Sequence, residues 1–181
     1  MKTEPAIAAT EPTLRALCAR EHAACFACRP VAQGGLGLRF NVQADGSVAA
    51  NWICPPGGES YRGIVHGGLL ATALDSGMVH ALFAYGIVAR TAELKVRYRH
   101  PAAVGAILTI RASLRQSFGQ FHELEAEIRC GEVGCAHARA KFMAEKAAET
   151  TGHRLAAGAA DRGPRVPLLP HLRPRLRTPG A

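Results

Sequence analysis

The stretch that most limits what this chain can become lies between Leu69 and Phe83, where the only polar side chains are Thr72, Asp75, Ser76 and His80. A helix of that composition is apolar nearly all round and belongs at the buried centre of a fold. Two features set it apart from an ordinary core helix. Gly67 and Gly68 stand at its start, where small residues let a ligand approach unpaired N–H groups and the positive end of the helix dipole, a setting that suits an oxyanion or a polarised carbonyl. Asp75 places a carboxylate in the middle, and burying it requires partners, protonation or a solvated cleft.

Spacing sharpens this. From His66 to Asp75 is nine residues, about 2.5 turns and ~13 Å of rise on an ideal helix, so the two project from roughly opposite sides. One chain is not expected to offer both groups to one reacting carbon. Two such helices across a two-fold axis can, which predicts a homo-oligomer with composite sites.

With 181 residues, 48% of them hydrophobic, the chain suffices for one domain with a substantial core. No apolar run is expected to reach the ~18 residues of a bilayer span, and the start, Met1 to Pro5, lacks a signal peptide's apolar segment. These features predict a cytoplasmic protein without a membrane partner. Cys18, Cys25, Cys28, Cys54, Cys130 and Cys135 then read as free thiols. His22, Cys25 and Cys28, with Cys18 one turn upstream, form a local set that lacks the separated ligand pairs of a structural zinc site, so no metal is expected. Most of the formal charge of +8 comes from residues 152–181, with Arg154, Arg162, Arg165, Arg173, Arg175 and Arg177 against Asp161 alone. Pro164, Pro167, Pro170, Pro174 and Pro179 share that segment. It reads as a solvated, disordered tail, and no nucleic-acid partner is inferred.

Along the chain, residues 1–9 read as disordered, 10–148 as one domain and 149–181 as the tail. Thr10 caps a helix expected over 11–24. Strands over 36–42 and 47–53 are joined by a tight turn at Asp45 and Gly46. Pro55, Pro56, Gly57 and Gly58 force a loop that delivers the chain to the central helix, and Gly86 stops that helix. Four alternating strands follow, over 91–99, 106–116, 120–130 and 135–143. Their polar faces place Glu123, Glu125 and Glu127 between Arg111 and Arg115 on one side and Arg139 and Lys141 on the other. In the first of them, strict alternation puts Thr91 with Arg97, on the face away from the helix. The expected fold is α+β, a long antiparallel sheet curved around one buried helix.

This order, with His66, Gly67 and Gly68 opening the central helix and Asp75 within it, resembles the hotdog-fold acyl-CoA thioesterases of the phenylacetate-degradation type. The resemblance covers about residues 22–145. Residues 91–101 look like that family's strand after the helix. Cys25 and Cys28, followed by Gly35 to Phe40, resemble the N-terminal element of one branch, with Arg29 where that branch usually has glycine.

The resemblance implies hydrolysis of an acyl-CoA thioester to a carboxylic acid and coenzyme A, with coenzyme A entering as part of the substrate and no separate cofactor. Asp75 matches the catalytic carboxylate, as nucleophile or as general base for water. The backbone N–H of Gly67 matches the donor that polarises the thioester carbonyl, with His66 positioning the Gly67-Gly68 turn, and an Asp75 from the partner subunit completes the site. Thr91 matches a hydroxyl that helps orient the water. Ser60 stands where many relatives carry a water-holding asparagine. Arg97 and Arg99, with the turn at Gly119 and Gln120, match the region that holds the nucleotide end of coenzyme A. Two rivals have distinct signatures: an enoyl-CoA hydratase, whose Asp and His pair before the long helix is not seen here, and a non-catalytic acyl-CoA-binding or regulatory module, which Ser60 and the basic tail would suit.

Overall fold

Thr10 opens α1 (Glu11–Glu21) by accepting a hydrogen bond from the Thr13 amide through its side chain, and its own amide donates to the Ala84 carbonyl at 2.9 Å. The structure, a computed structural model, describes residues 8–144. The tail expected over 149–181, and residues 1–7 of the expected N-terminal segment, lie outside the described residues. α1 ends three residues before the expected 24, because the chain turns back at His22 and the Cys25 amide bonds to the His22 carbonyl at 3.1 Å.

The expected hairpin forms, but its first strand is short. β1 covers only Asn41–Val42, and β2 covers Val48–Ile53. Residues 36–38 do not join the ladder because their amides are taken by the turn before them: Leu36, Gly37 and Leu38 donate to the carbonyls of Phe26, Arg29 and Ala27. The side chains of Leu36, Leu38 and Phe40 are nevertheless buried. Between the strands the expected tight turn forms at Asp45 and Gly46: the Gly46 amide reaches the Gln43 carbonyl at 2.9 Å and Gly46 takes φ 78°.

α2 (Gly67–Ala84) is the buried centre, with Leu70, Leu74, Met78, Leu82 and Phe83 among its covered side chains. By length and composition it would pass for a bilayer span, with a mean hydropathy of 1.2 over 18 residues, contrary to the expectation that no run reaches that size. Its composition is accounted for by packing: 61% of that window is buried. Gly86, at φ 77°, turns the chain out of the helix.

Four long strands follow: β3 (Ala89–Tyr98), β4 (Ile107–Phe118), β5 (Phe121–Cys130) and β6 (Val133–Ala144). All pairings are antiparallel, in the order β1-β2-β4-β5-β6-β3. Leu108, Ile110, Ala112, Leu124, Ala126, Ile128, Ala136, Ala138, Ala140 and Phe142 are buried, as the alternation requires. The alanine-rich inner face lets α2 come close: a Cβ placed on Gly77 would lie 3.2 Å from the Ala112 Cβ. On the outer face Glu127 pairs with Arg111, Glu125 with Arg139 and Glu123 with Lys141, so the expected charge rows are in register. This is the hotdog fold, with β3 at one edge of the sheet.

Candidate active site

His66 is the N-cap of α2, and its Nδ1 accepts a hydrogen bond from the Gly68 amide at 2.9 Å. Its own amide donates to the Gly58 carbonyl at 2.8 Å, which anchors the loop that precedes the helix. The Leu69 and Leu70 amides turn to the His66 carbonyl. Among the described residues no acceptor meets the Gly67 N–H, so one helix-end donor is left to a ligand. Packed against Gly67 is Tyr98, whose ring lies 3.5 Å from where a Gly67 Cβ would stand and whose hydroxyl donates to the Gly67 carbonyl at 2.9 Å. The sequence reading missed Tyr98. Its alternation with Leu94 and Val96, on the helix side of β3, was the available signal.

Asp75 faces the other end of β3. The Thr91 hydroxyl donates to Asp75 Oδ1 at 2.7 Å. Strict alternation predicts the opposite facing for Thr91, and a bulge corrects it. Thr91 pairs with Phe142 and Glu93 with Lys141, leaving Ala92 as an extra residue. Phe142 is buried on the helix side, so its partner Thr91 is turned to that side as well, while Glu93, Lys95 and Arg97 face outward.

Burial raises the pKa of Asp75, and two weaker influences oppose the rise: the Thr91 hydrogen bond and the charge of nearby His22. Burial lowers the pKa of His22, while Glu21 and Asp75 act against that shift. No cation lies within salt-bridge distance of Asp75 among the described residues. Asp75 is thus a half-buried carboxylate held by one hydroxyl, with its pKa raised by burial.

Beside this pair opens a cleft of about 350 Å³, lined by His22, Val79, Phe83, Val88 and Thr91 among others. Its size and mixed lining fall at the small end of ligand pockets. His22, Cys25 and Cys28 are the described residues able to hold a metal, with one ligand atom from each lying within 4.8 Å of the others.

The remaining expected residues are dispersed. Ser60 sits in the exposed loop before α2, its amide bonded to the Ile64 carbonyl at 3.0 Å, and among the described residues no hydrogen bond joins it to Asp75 or Gly67. Arg97 and Arg99 are exposed near the C-terminal end of β3. The turn at Gly119 and Gln120 lies near the other end, because Phe121 pairs with Met143, and Met143 with Arg90. Arg97 pairs with His137, six positions along β6 from Met143, or about 20 Å at the strand's rise per residue. Within one chain, the structure therefore brings Asp75 to Thr91 and His66 to Gly68. It does not bring the two arginines to the Gly119 turn.

Fold and site together define a hotdog domain with a carboxylate and hydroxyl at the seam between central helix and edge strand. Residues 62–136 match the family model described as the thioesterase superfamily, so the resemblance read from the sequence holds over the helix and three of the strands that follow it. A comparison with curated proteins gives no match. Among solved structures, the chain is similar to a thioesterase superfamily protein at 25% identity and a TM-score of 0.58, covering 61% of this chain and 57% of that one. The PaaI protein of E. coli, from the phenylacetic acid degradation operon, is 17% identical with a TM-score of 0.63, over 75% of this chain and 95% of that one. A hypothetical thioesterase from Streptococcus pneumoniae, solved with coenzyme A, is 18% identical with a TM-score of 0.56, over 60% of this chain and 85% of that one. Against the first of these structures, this chain spans little more than half the other's length.

Proposed function

We propose that the protein hydrolyses an acyl-CoA thioester in a site completed by two copies of the chain. The observation that carries this reading is the Asp75 and Thr91 pair, a carboxylate of raised pKa held by a hydroxyl at the cleft. The thioesterase superfamily match and the solved thioesterase with coenzyme A support the substrate class.

Among the described residues β3 has an open edge, since the sheet ends with it. Pairing that edge with the same edge of a second copy, antiparallel about a two-fold axis, sets the Thr91 end of one β3 beside the Tyr98 end of the other. Asp75 contacts Thr91 and Gly67 contacts Tyr98, so one chain's carboxylate would approach its partner's free amide. The thioester carbonyl oxygen accepts from the Gly67 N–H at the positive end of α2. As negative charge develops on that oxygen, the aimed donor stabilises it, an effect typically worth 10²–10³ in rate. Asp75 either takes a proton from the attacking water or attacks the carbonyl itself, giving a mixed anhydride that water then hydrolyses to the free acid and the restored carboxylate, and Thr91 holds the carboxylate in place. The coenzyme A thiolate leaves and takes up a proton. Arg97 and Arg99 offer guanidinium groups to the phosphates of the nucleotide end. The Gly119 turn, remote from them in one chain, would come from a different protomer.

Complementation tests both the reaction and its two-chain geometry. Gly67→Pro deletes the one N–H in question at the first helical position, where proline is tolerated, and His66 already has the extended backbone (φ −58°, ψ 127°) that precedes proline. Asp75→Asn and Gly67→Pro should each lose free-thiol release from acyl-CoA. Co-expressed in equal amounts, they should restore about a quarter of parental activity, because half the dimers are mixed and each mixed dimer holds one intact site. Failure to recover activity from two folded variants would falsify the shared site, and tight acyl-CoA binding by the parent without thiol release would replace hydrolysis by a binding role.

A further inference from the structure

The turn after α1 and the middle of α2 bring together four soft donors that the reaction does not use. His22 is the C-cap of α1, and Cys25 and Cys28 follow in a turn closed by the bond from the Arg29 amide to the Cys25 carbonyl at 2.9 Å. The ligand atoms of His22, Cys25 and Cys28 all lie within 4.8 Å of one another. Cys28 Sγ lies 3.6 Å from His22 Nδ1 and 3.4 Å from His80 Nε2. His80 comes from α2, 52 residues further along the chain.

We infer that His22, Cys25, Cys28 and His80 bind a thiophilic divalent cation, Zn²⁺ by its chemistry, which ties the turn after α1 to the central helix. Two observations favour a metal over plain packing. With Zn–S near 2.3 Å and Zn–N near 2.0–2.1 Å, the sulfur-to-nitrogen edge of a tetrahedral site is about 3.6 Å, close to both observed separations. His80, only 3% exposed, has its Nδ1 at 2.6 Å from the Ser76 carbonyl, an acceptor, so the ring's proton sits there and Nε2 presents its lone pair toward Cys28. That is the outer contact by which metal-bound histidines are usually held.

The distant His80 also supplies what the local sequence set lacks, a ligand from a separate element. Two thiolates and two imidazoles in such a set suit Zn²⁺, and carboxylate-preferring cations are poorly matched. The cation would have a structural consequence at the cleft, because His22 lines it. Residues 22–40 contain no strand and only a single short 3-10 turn, Val31–Gln33, so a cross-link at 25 and 28 fixes a segment with little regular structure of its own.

Metal content tests the site without any thioester assay, so it stands or falls apart from the reaction. The full chain, purified under reducing conditions from zinc-supplemented cells, should carry about one zinc per chain by elemental mass spectrometry. Cys25→Ser and Cys28→Ser should each lower that at least about tenfold, as should His80→Gln if it remains folded by circular dichroism, while Cys18→Ser keeps it. Co²⁺ in place of zinc should give thiolate charge-transfer bands and the strong visible absorption of a tetrahedral site, and a strong chelator should lower Tm. A metal-free parental protein, zinc retained in both the Cys25 and Cys28 variants, a Cys25–Cys28 disulfide in their place, or an unchanged Tm after metal removal would each overturn the inference.

Discussion

The Thr91 hydroxyl donates to Asp75 Oδ1 at 2.7 Å, joining the edge strand to the central helix across sixteen residues of sequence. The bond holds down a pKa that burial pushes up. Thr91→Val removes the donor and leaves burial unopposed by it, so the Asp75 pKa should climb further. A carboxylate that must be ionised to act then loses activity at a higher pH. The acidic limb of the kcat/KM profile should move upward, and Thr91→Ser should keep it near the parental position.

Asp75 itself should trade stability for activity. Its folded pKa lies above the ordinary value, so its contribution to stability is fully present below the unfolded pKa and is lost as pH rises through the raised folded value. Asp75→Asn is neutral throughout. It should raise Tm at neutral pH, with the gap closing in acid where the parent is protonated too, while turnover falls by about 10²–10⁴. Thermal melts over a pH series, beside a thiol-release assay, check both halves.

Tyr98 should matter at the helix start. Tyr98→Phe loses the bond to the Gly67 carbonyl and keeps the ring against Gly67. The expected cost is about 0.5–1.5 kcal/mol, read by chemical denaturation. kcat/KM should fall by up to about tenfold if the anchored turn is what aims the Gly67 amide.

At Gly77 the backbone of α2 lies close against the sheet. An added Cβ would stand 3.2 Å from both the Ala112 Cβ and the Phe40 ring. Gly77→Val should cost about 1–3 kcal/mol by overpacking, seen as a lower denaturation midpoint at unchanged slope. A methyl at Gly67, by contrast, meets only ordinary contact at 3.5 Å, and Gly67→Ala should fold normally.

Much of this was legible because periodicity and burial agree. Leu108, Ile110 and Ala112, then Leu124, Ala126 and Ile128, alternate without interruption, and the structure buries each of them. The lone carboxylate in an apolar helix and the glycines at its start likewise marked themselves by composition. What stayed hidden was set by contacts between distant segments. Residues 36–38 have strand-like side chains but give their amides to the preceding turn. His80 meets Cys28, 52 residues away along the chain, only through the packing of α2 against the turn after α1. The outward facing expected of Thr91 failed because alternation assumes an uninterrupted ladder, and no residue near 92 signals the extra position.

That extra position, left out of the ladder, sets which way Thr91 faces. If Ala92 were drawn into regular pairing instead, Thr91 would turn through half a revolution, toward the face that carries Glu93 and Lys95, and Asp75 would be left without its hydroxyl. Deleting Ala92, by contrast, would make Thr91 the direct neighbour of Glu93, on the opposite face by simple alternation and still across from Phe142. Loss of one codon at this point is therefore a change of length that the site can absorb.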